Sequence, residues 1–185
     1  MRSTTAYYGL VAAVGVERLV ELVVDRRNRR WAAEQGGVET GVGHYPAMVA
    51  LHTGLLAGCV LEVSRARRPF VPPVGWPAVA GVFAAQGLRW WCIRTLGRQW
   101  STRIVVIPGA QRVTSGPYRV IPHPNYVAVA TEGVALPLAH SAGVTATVFT
   151  VLNAVLLRHR IRLEDEALRS LRPGTTAEEE TPERS

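Results

Sequence analysis

Residues 113–133 read VTSGPYRVIPHPNYVAVATEG, a polar, proline-stiffened segment that runs directly into an apolar stretch carrying one carboxylate. Gly116-Pro117 is turn chemistry, because Gly accepts a positive φ and Pro fixes φ at about −65°. Pro122 and Pro124 bracket His123, so the backbone cannot be helical before Pro124. Pro124 itself suits the first turn of a helix, where its missing N–H removes no bond. His123 is thereby held at the mouth of a helix N-terminus, beside free amide donors and the positive end of the helix dipole. That is a place to bind something anionic or polar. Asn125, Val129 and Glu132 then follow helical spacing on one face, which points Glu132 inward from the same mouth.

Outward from this stretch the chain alternates between long apolar runs and arginine-rich connections. The apolar runs cover about residues 5–24, 45–63, 76–96, 124–139 and 143–157. The first is long enough to span a bilayer, which takes roughly 20 residues. It carries Glu17, Arg18 and Glu21 near its far end; Arg18 and Glu21 are three apart, so they can pair on one face and lower the cost of burying charge. A polar loop is expected over 25–44. The second run is interrupted by His52, read as a packing residue, and by Glu62. In the third, Gln86 and Arg89 share a face. Trp76, Trp90, Trp91 and Trp100 near its ends read as an interfacial aromatic belt. The connection 97–122 contains a short extended segment at 103–107, expected to form a hairpin with 111–114. The last two runs read as a helical hairpin with a kink near Pro137. An amphipathic helix over 163–171 follows, and 173–185 read as a disordered tail. One unit, 1–172, therefore precedes the tail, with 113–171 as its polar, site-bearing half.

Composition agrees with a membrane bundle. Of the 185 residues, 48% are hydrophobic and only 19% charged, against roughly 25% charged in soluble domains. All 21 basic residues are Arg, and the formal net charge is +7. No aromatic side chains are interleaved with a basic face, so nucleic acid is not the expected partner. Arginines flanking apolar runs instead mark the cytoplasmic side. Counting them over five spans puts 25–44, 97–122 and the C-terminus in the cytoplasm and the N-terminus outside, in a bacterial plasma membrane; Arg65, Arg67 and Arg68 count against this. No small-residue cleavage site follows the first run, so it is not read as a signal peptide. Cys59 and Cys92 lie in apolar stretches without metal spacing. Walker, dinucleotide, Ser-His-Asp and zinc patterns do not occur.

Gly116-Pro117-Tyr118 followed by His123-Pro124-Asn125-Tyr126 resembles the signature of the isoprenylcysteine carboxyl methyltransferase family, which is grouped with the phospholipid methyltransferases. That family's pattern is roughly GPY, a short gap, RHPxYxG and a later RIxxEExxL. Here the last part is matched by Arg160-Ile161-Arg162-Leu163-Glu164-Asp165-Glu166-Ala167-Leu168. Pro122 stands where the family has Arg, and Ala128 where it has Gly. The resemblance implies an all-α integral-membrane bundle of about five transmembrane helices with a cytoplasmic cofactor pocket. It implies S-adenosyl-L-methionine as cofactor, and a carboxyl or hydroxyl group of a lipophilic small-molecule or lipid acceptor as the site of methylation. Tyr118, His123, Asn125, Tyr126, Arg160, Glu164 and Asp165 are the cofactor-contacting positions it implies. Donors at His123 and acceptors at Glu164 and Asp165 suit the two ends of such a cofactor. Glu132 and Arg89 are the candidate catalytic pair: Glu132 holds a polar group of the acceptor or pairs with Arg89. NADPH-dependent membrane sterol or enone reductases, with a similar helical core and GPY…HPxY pattern, are the alternative enzyme class. A non-catalytic membrane protein is the third reading.

Overall fold

The apolar runs form five helices: α1 (Arg2–Glu34), α2 (Tyr45–Arg65), α3 (Pro72–Leu96), α4 (Pro124–Leu138) and α5 (Gly143–Arg169). The computed structural model describes residues 2–169 apart from Val42 and His44; the expected tail, 173–185, lies outside the described residues. Two three-residue strands, β1 (Val38–Thr40) and β2 (Ile104–Val106), pair antiparallel with Val38 opposite Val106 and Thr40 opposite Ile104. The fold is all-α, with this small ribbon tying the first loop to the third.

Four local readings are corrected. The loop expected from residue 25 is helical to Glu34. Its charges do not break the helix, because Asp25 and Asn28 turn inward and find partners in the loop after α3, with Arg29 of the same helix as a further partner of Asp25. Asp25 accepts hydrogen bonds from the Thr102 amide and the Ser101 hydroxyl, each at 2.8 Å, and from Arg29 Nε at 2.9 Å. Asn28 donates to the carbonyls of Trp100 and Gly97. Residues 104–106 pair with β1 rather than with 111–114, and the Arg103–Glu39 ion pair at 2.7 Å locks that register. The fifth run does not stop at 157 but continues as one helix to Arg169, which carries its charged end over the β ribbon, where Leu163 and Ala167 pack on Ile104 and Val106. Of the four tryptophans, Trp76 and Trp91 are exposed, but Trp100 is buried and Trp90 donates to Glu17.

The core runs along the middle of the bundle, where Tyr7, Val11 and Val14 of α1 meet Leu55, Cys59 and Val63 of α2, Ala78 and Val82 of α3, and Leu136 and Phe149. The helices leave the β ribbon, the α4 N-terminus and the α5 C-terminus at one end. At the other, Glu62 accepts from the Thr145 amide at 2.7 Å and so caps α5, while Arg68 pairs with it at 3.1 Å. α4 ends one residue beyond Pro137, and residues 139–142 turn the chain tightly into α5. Among the described residues only α2 is by itself long and apolar enough to cross a membrane, and just 17% of its most apolar window is buried.

Candidate functional site

Pro124 opens α4 and His123 occupies its N-cap position with no side-chain cap hydrogen bond, so the imidazole is not spent on the helix's own amides. It stacks on Tyr126, ring centroids 5.5 Å apart, and its Nε2 lies 3.4 Å from Asp165 of α5. The Tyr126 hydroxyl donates to Glu164 and accepts from Arg160 Nε at 2.9 Å. Arg160, buried, also donates to the Thr102 carbonyl at 2.6 Å. The first turn of α4 and the last turns of α5 are thus joined by one polar chain running from Asp165 through His123, Tyr126 and Arg160 to the loop after α3. Tyr118 sits in the short 3-10 turn Gly116–Arg119. Burial pushes its phenol well above the ordinary range, and the Cys92 thiol beside it adds to the shift.

Two kinds of cavity meet at this chain of residues. A polar groove of about 450 Å³ is lined by Tyr118, Pro122, His123 and Glu164, by the strand and loop 105–113, and by Arg98 and Arg112. A smaller hollow beside it, about 110 Å³, adds Asn125, Tyr126 and Arg160 to its walls. The second kind is a chamber of about 260 Å³ between α1, α2, α4 and α5. Its walls are mostly apolar, among them Leu22, Val49, Leu56, Val129 and Leu156, with Arg18, Arg89, His52 and Asn153 as polar points. Asn125, Tyr126 and Arg160 border both the hollow and the chamber. The Asn125 Oδ1 is buried without a protein partner.

Glu132 lies behind the chamber wall, buried, in a four-member ion cluster. Arg18 Nη2 approaches both of its oxygens, at 2.6 and 2.5 Å, and Arg89 Nη2 lies 3.3 Å away. Both arginines also reach Glu21, at 2.6 and 3.2 Å. The pairing of Glu132 with Arg89 is therefore present but is the longer of two; the closer cation comes from α1. Glu17, one turn before Glu21, takes bonds from Gln86 and Trp90 of α3. Arg18 and Arg89 line the chamber, whereas Glu132 holds them from behind.

Tyr118, His123, Asn125, Tyr126, Arg160 and Glu164 share the groove and hollow, with Asp165 at their edge through His123. Arg89 meets Asn125, Tyr126 and Arg160 only across the chamber, outside the groove and hollow, and Glu132 lies behind it. Three features went unread in the sequence: Asn153, Thr102 and the reach of Arg18 beyond Glu21 to Glu132. Asn153 had a signal, since a lone amide inside an apolar run is costly unless it lines a cavity or finds a partner. Thr102 had none, because it acts through its backbone.

Comparison with known proteins bears on the same region. Residues 78–170 match the model of the Isoprenylcysteine carboxyl methyltransferase (ICMT) family, a segment that begins in α3 and takes in α4 and α5. The chain is also 37% identical over 163 residues to a Bacillus subtilis (strain 168) protein carrying the name uncharacterized protein YpbQ, covering 88% of this chain and 96% of that protein. The candidate site residues from Tyr118 to Asp165 all fall inside the family match, and on this evidence the chain belongs to the isoprenylcysteine carboxyl methyltransferase family.

Proposed function

We propose that the protein is an integral-membrane methyltransferase that uses S-adenosyl-L-methionine to methylate a carboxyl or hydroxyl group of a lipophilic acceptor. The observation that carries this reading is the common wall of Asn125, Tyr126 and Arg160, which borders the apolar chamber on one side and, on the other, the small hollow that joins the polar groove along Tyr118, His123 and Glu164. A water-soluble cofactor and a lipid-soluble acceptor need different rooms that meet at one place, because methyl transfer is governed chiefly by alignment and exclusion of water.

The groove's chemistry fits the cofactor. Its volume lies in the range of ligand pockets, about 300–1,000 Å³. Glu164 and, at the groove's edge, Asp165 offer acceptors for an amino group or a ribose diol, Arg112 offers charge for a carboxylate, and in the adjoining hollow the Asn125 amide has an unused buried acceptor. When bound, S-adenosyl-L-methionine supplies a methyl group on a sulfonium, which departs as a neutral thioether. The chain's own residues do the rest. Tyr126 and Arg160 fix the passage between the rooms, and Arg18 and Arg89 present guanidiniums to a carboxylate or hydroxyl oxygen at the polar end of the chamber. Glu132 and Glu21 hold those guanidiniums in place.

Membrane residence is supported by the low burial of α2 and by the exposed apolar side chains of α5, among them Val144, Val148, Val151 and Val155. Apolar surface on this scale does not face water in a soluble monomer. On this reading the groove opens to the cytoplasm, the C-terminus lies there, and the N-terminus lies outside. The test is incubation of membranes containing the protein with S-adenosylmethionine labelled in its methyl group. Label is expected in the organic extract as a product of the lipid fraction. Label confined to the aqueous phase, in membranes where the protein is abundant and folded, would contradict it.

A further inference from the structure

Beyond the last apolar turn of α1, four guanidiniums surround a second groove of about 580 Å³, which shares no lining residue with the chamber and meets the candidate cofactor groove at Asn28 and Arg98. Arg26, Arg27 and Arg30 come from α1 and Arg98 from the turn Gly97–Gln99, with Val23, Asn28, Trp31 and Glu34 completing the lining. Arg98 lies over the Trp31 ring at 5.9 Å. Arg18, Arg29, Arg68, Arg89 and Arg103 each have a carboxylate within ion-pair reach. Among the described residues none of these four does, and the groove's single acid, Glu34, leaves it strongly positive.

The groove continues an apolar ridge. Val16, Val20 and Val23 fall on one face of α1 by helical spacing, and Arg27 and Arg30 extend that same face by one and two further turns. The three valines are between 43% and 66% exposed. One helix face therefore changes from apolar to cationic within about 6 Å, the rise from Val23 to Arg27. That sequence of surfaces is the negative image of a lipid whose acyl chain ends in a phosphate.

We propose that this groove binds the phosphate headgroup of an anionic glycerophospholipid from the leaflet facing the candidate active site, with an acyl chain lying along Val16, Val20 and Val23. Arginine presents a planar fork that matches two phosphate oxygens, and Trp31, one turn beyond Arg27 on α1, is a residue type favoured at the bilayer interface. The proposal rests on the membrane reading above. It assigns the arginine run of α1 to a lipid bound at one place, in addition to any general attraction to a charged surface.

The full chain, purified in detergent and exposed to equimolar phosphatidylglycerol and phosphatidylcholine, is read by native mass spectrometry. The wild type is expected to retain one phosphatidylglycerol in preference to phosphatidylcholine. The variant carrying Arg26→Gln, Arg27→Gln and Arg30→Gln is expected to lose that preference by roughly tenfold or more, with an unchanged melting temperature. Equal retention of the two lipids by the wild type overturns the proposal without any variant. So does undiminished preference in a folded triple variant. Displacement of the bound lipid by inorganic phosphate at the efficiency of added phosphatidylglycerol would make free phosphate the ligand and overturn the assignment to lipid. A chain that stays monodisperse without detergent would instead refute the membrane reading itself.

Discussion

Glu132 shows how a residue's role changes once its neighbours are known. From sequence it was an isolated carboxylate two turns into an apolar helix, with Arg89 as its nearest candidate partner. In the structure it is clasped by two guanidiniums, and the closer one belongs to α1, 114 residues away. A carboxylate so held is a counter-ion first. Replacing Glu132 with Gln leaves Arg18 and Arg89 short of one negative charge in a buried setting, a change that costs about 3–5 kcal/mol where one partner of a buried pair is removed. The melting temperature in detergent should fall clearly. Adding Arg18→Gln to Glu132→Gln should recover more of that loss than adding Arg89→Gln, because the Arg18 contacts are at 2.5 and 2.6 Å and the Arg89 contact at 3.3 Å. Equal recovery by both double variants would show that the two arginines share the charge evenly. Glu17, Arg18 and Glu21 were visible as charges in an apolar run, but their partners on α3 and α4 were not, because nothing local fixes which helices α1 packs against.

Helices and turns supply the next level. Gly133 of α4 is where Phe149 of α5 lies against the helix backbone, and an added methyl would overlap the ring. Gly133→Ala should destabilise the hairpin by about 1–3 kcal/mol. Gly87→Ala, where nothing lies within 4 Å, should be neutral or stabilising by up to about 1 kcal/mol. Matching melting temperatures for the two variants would contradict the packing described for α4 and α5. The end of α1 is fastened through Asp25. Burial alone would raise its carboxyl, but the Thr102 amide, Arg29 and Ser101 outweigh that, and its pKa lies below the ordinary value. The folded state therefore binds this proton less readily than the unfolded chain does. Its stabilisation is complete above the unfolded value of about 3.9 and is lost as the pH falls through the lower folded value. Asp25→Asn should lower the melting temperature at pH 7 and shrink the gap between variant and wild type on acidification below pH 4. A gap that stays constant with pH would contradict the clasp. The start of α4 was legible because Pro122 and Pro124 leave the backbone no other choice. The β ribbon was not, since Glu39 and Arg103 pair across 64 residues and short strands carry too little pattern to name a distant partner. The continuation of α1 to Glu34 was hidden for a related reason: a run of Asp, Arg and Asn reads as a loop until its buried members are given partners.

Across the whole molecule, one end of the bundle gathers the polar groove, the β ribbon and the charged turns of α5, while the flanks of α2 and α5 present apolar side chains outward. A molecule built this way should remain with membranes through an alkaline wash and require detergent for extraction, and recovery as a soluble monomer would contradict the architecture. Family membership fixes the C-terminal half more firmly than the first two helices, which lie outside the matched segment yet build half of the chamber. The claim that joins these parts is that the groove and its adjoining hollow hold S-adenosyl-L-methionine against the wall of Asn125, Tyr126 and Arg160. Titration calorimetry of S-adenosylmethionine, and separately of NADPH, into the detergent-purified chain and its Glu164→Ala variant tests it most directly. S-adenosylmethionine should bind the wild type with one site and bind Glu164→Ala about ten- to a hundred-fold more weakly, as loss of a charged hydrogen bond costs about 1.5–3 kcal/mol, and NADPH should not bind. Saturable binding of NADPH with none of S-adenosylmethionine would contradict the account.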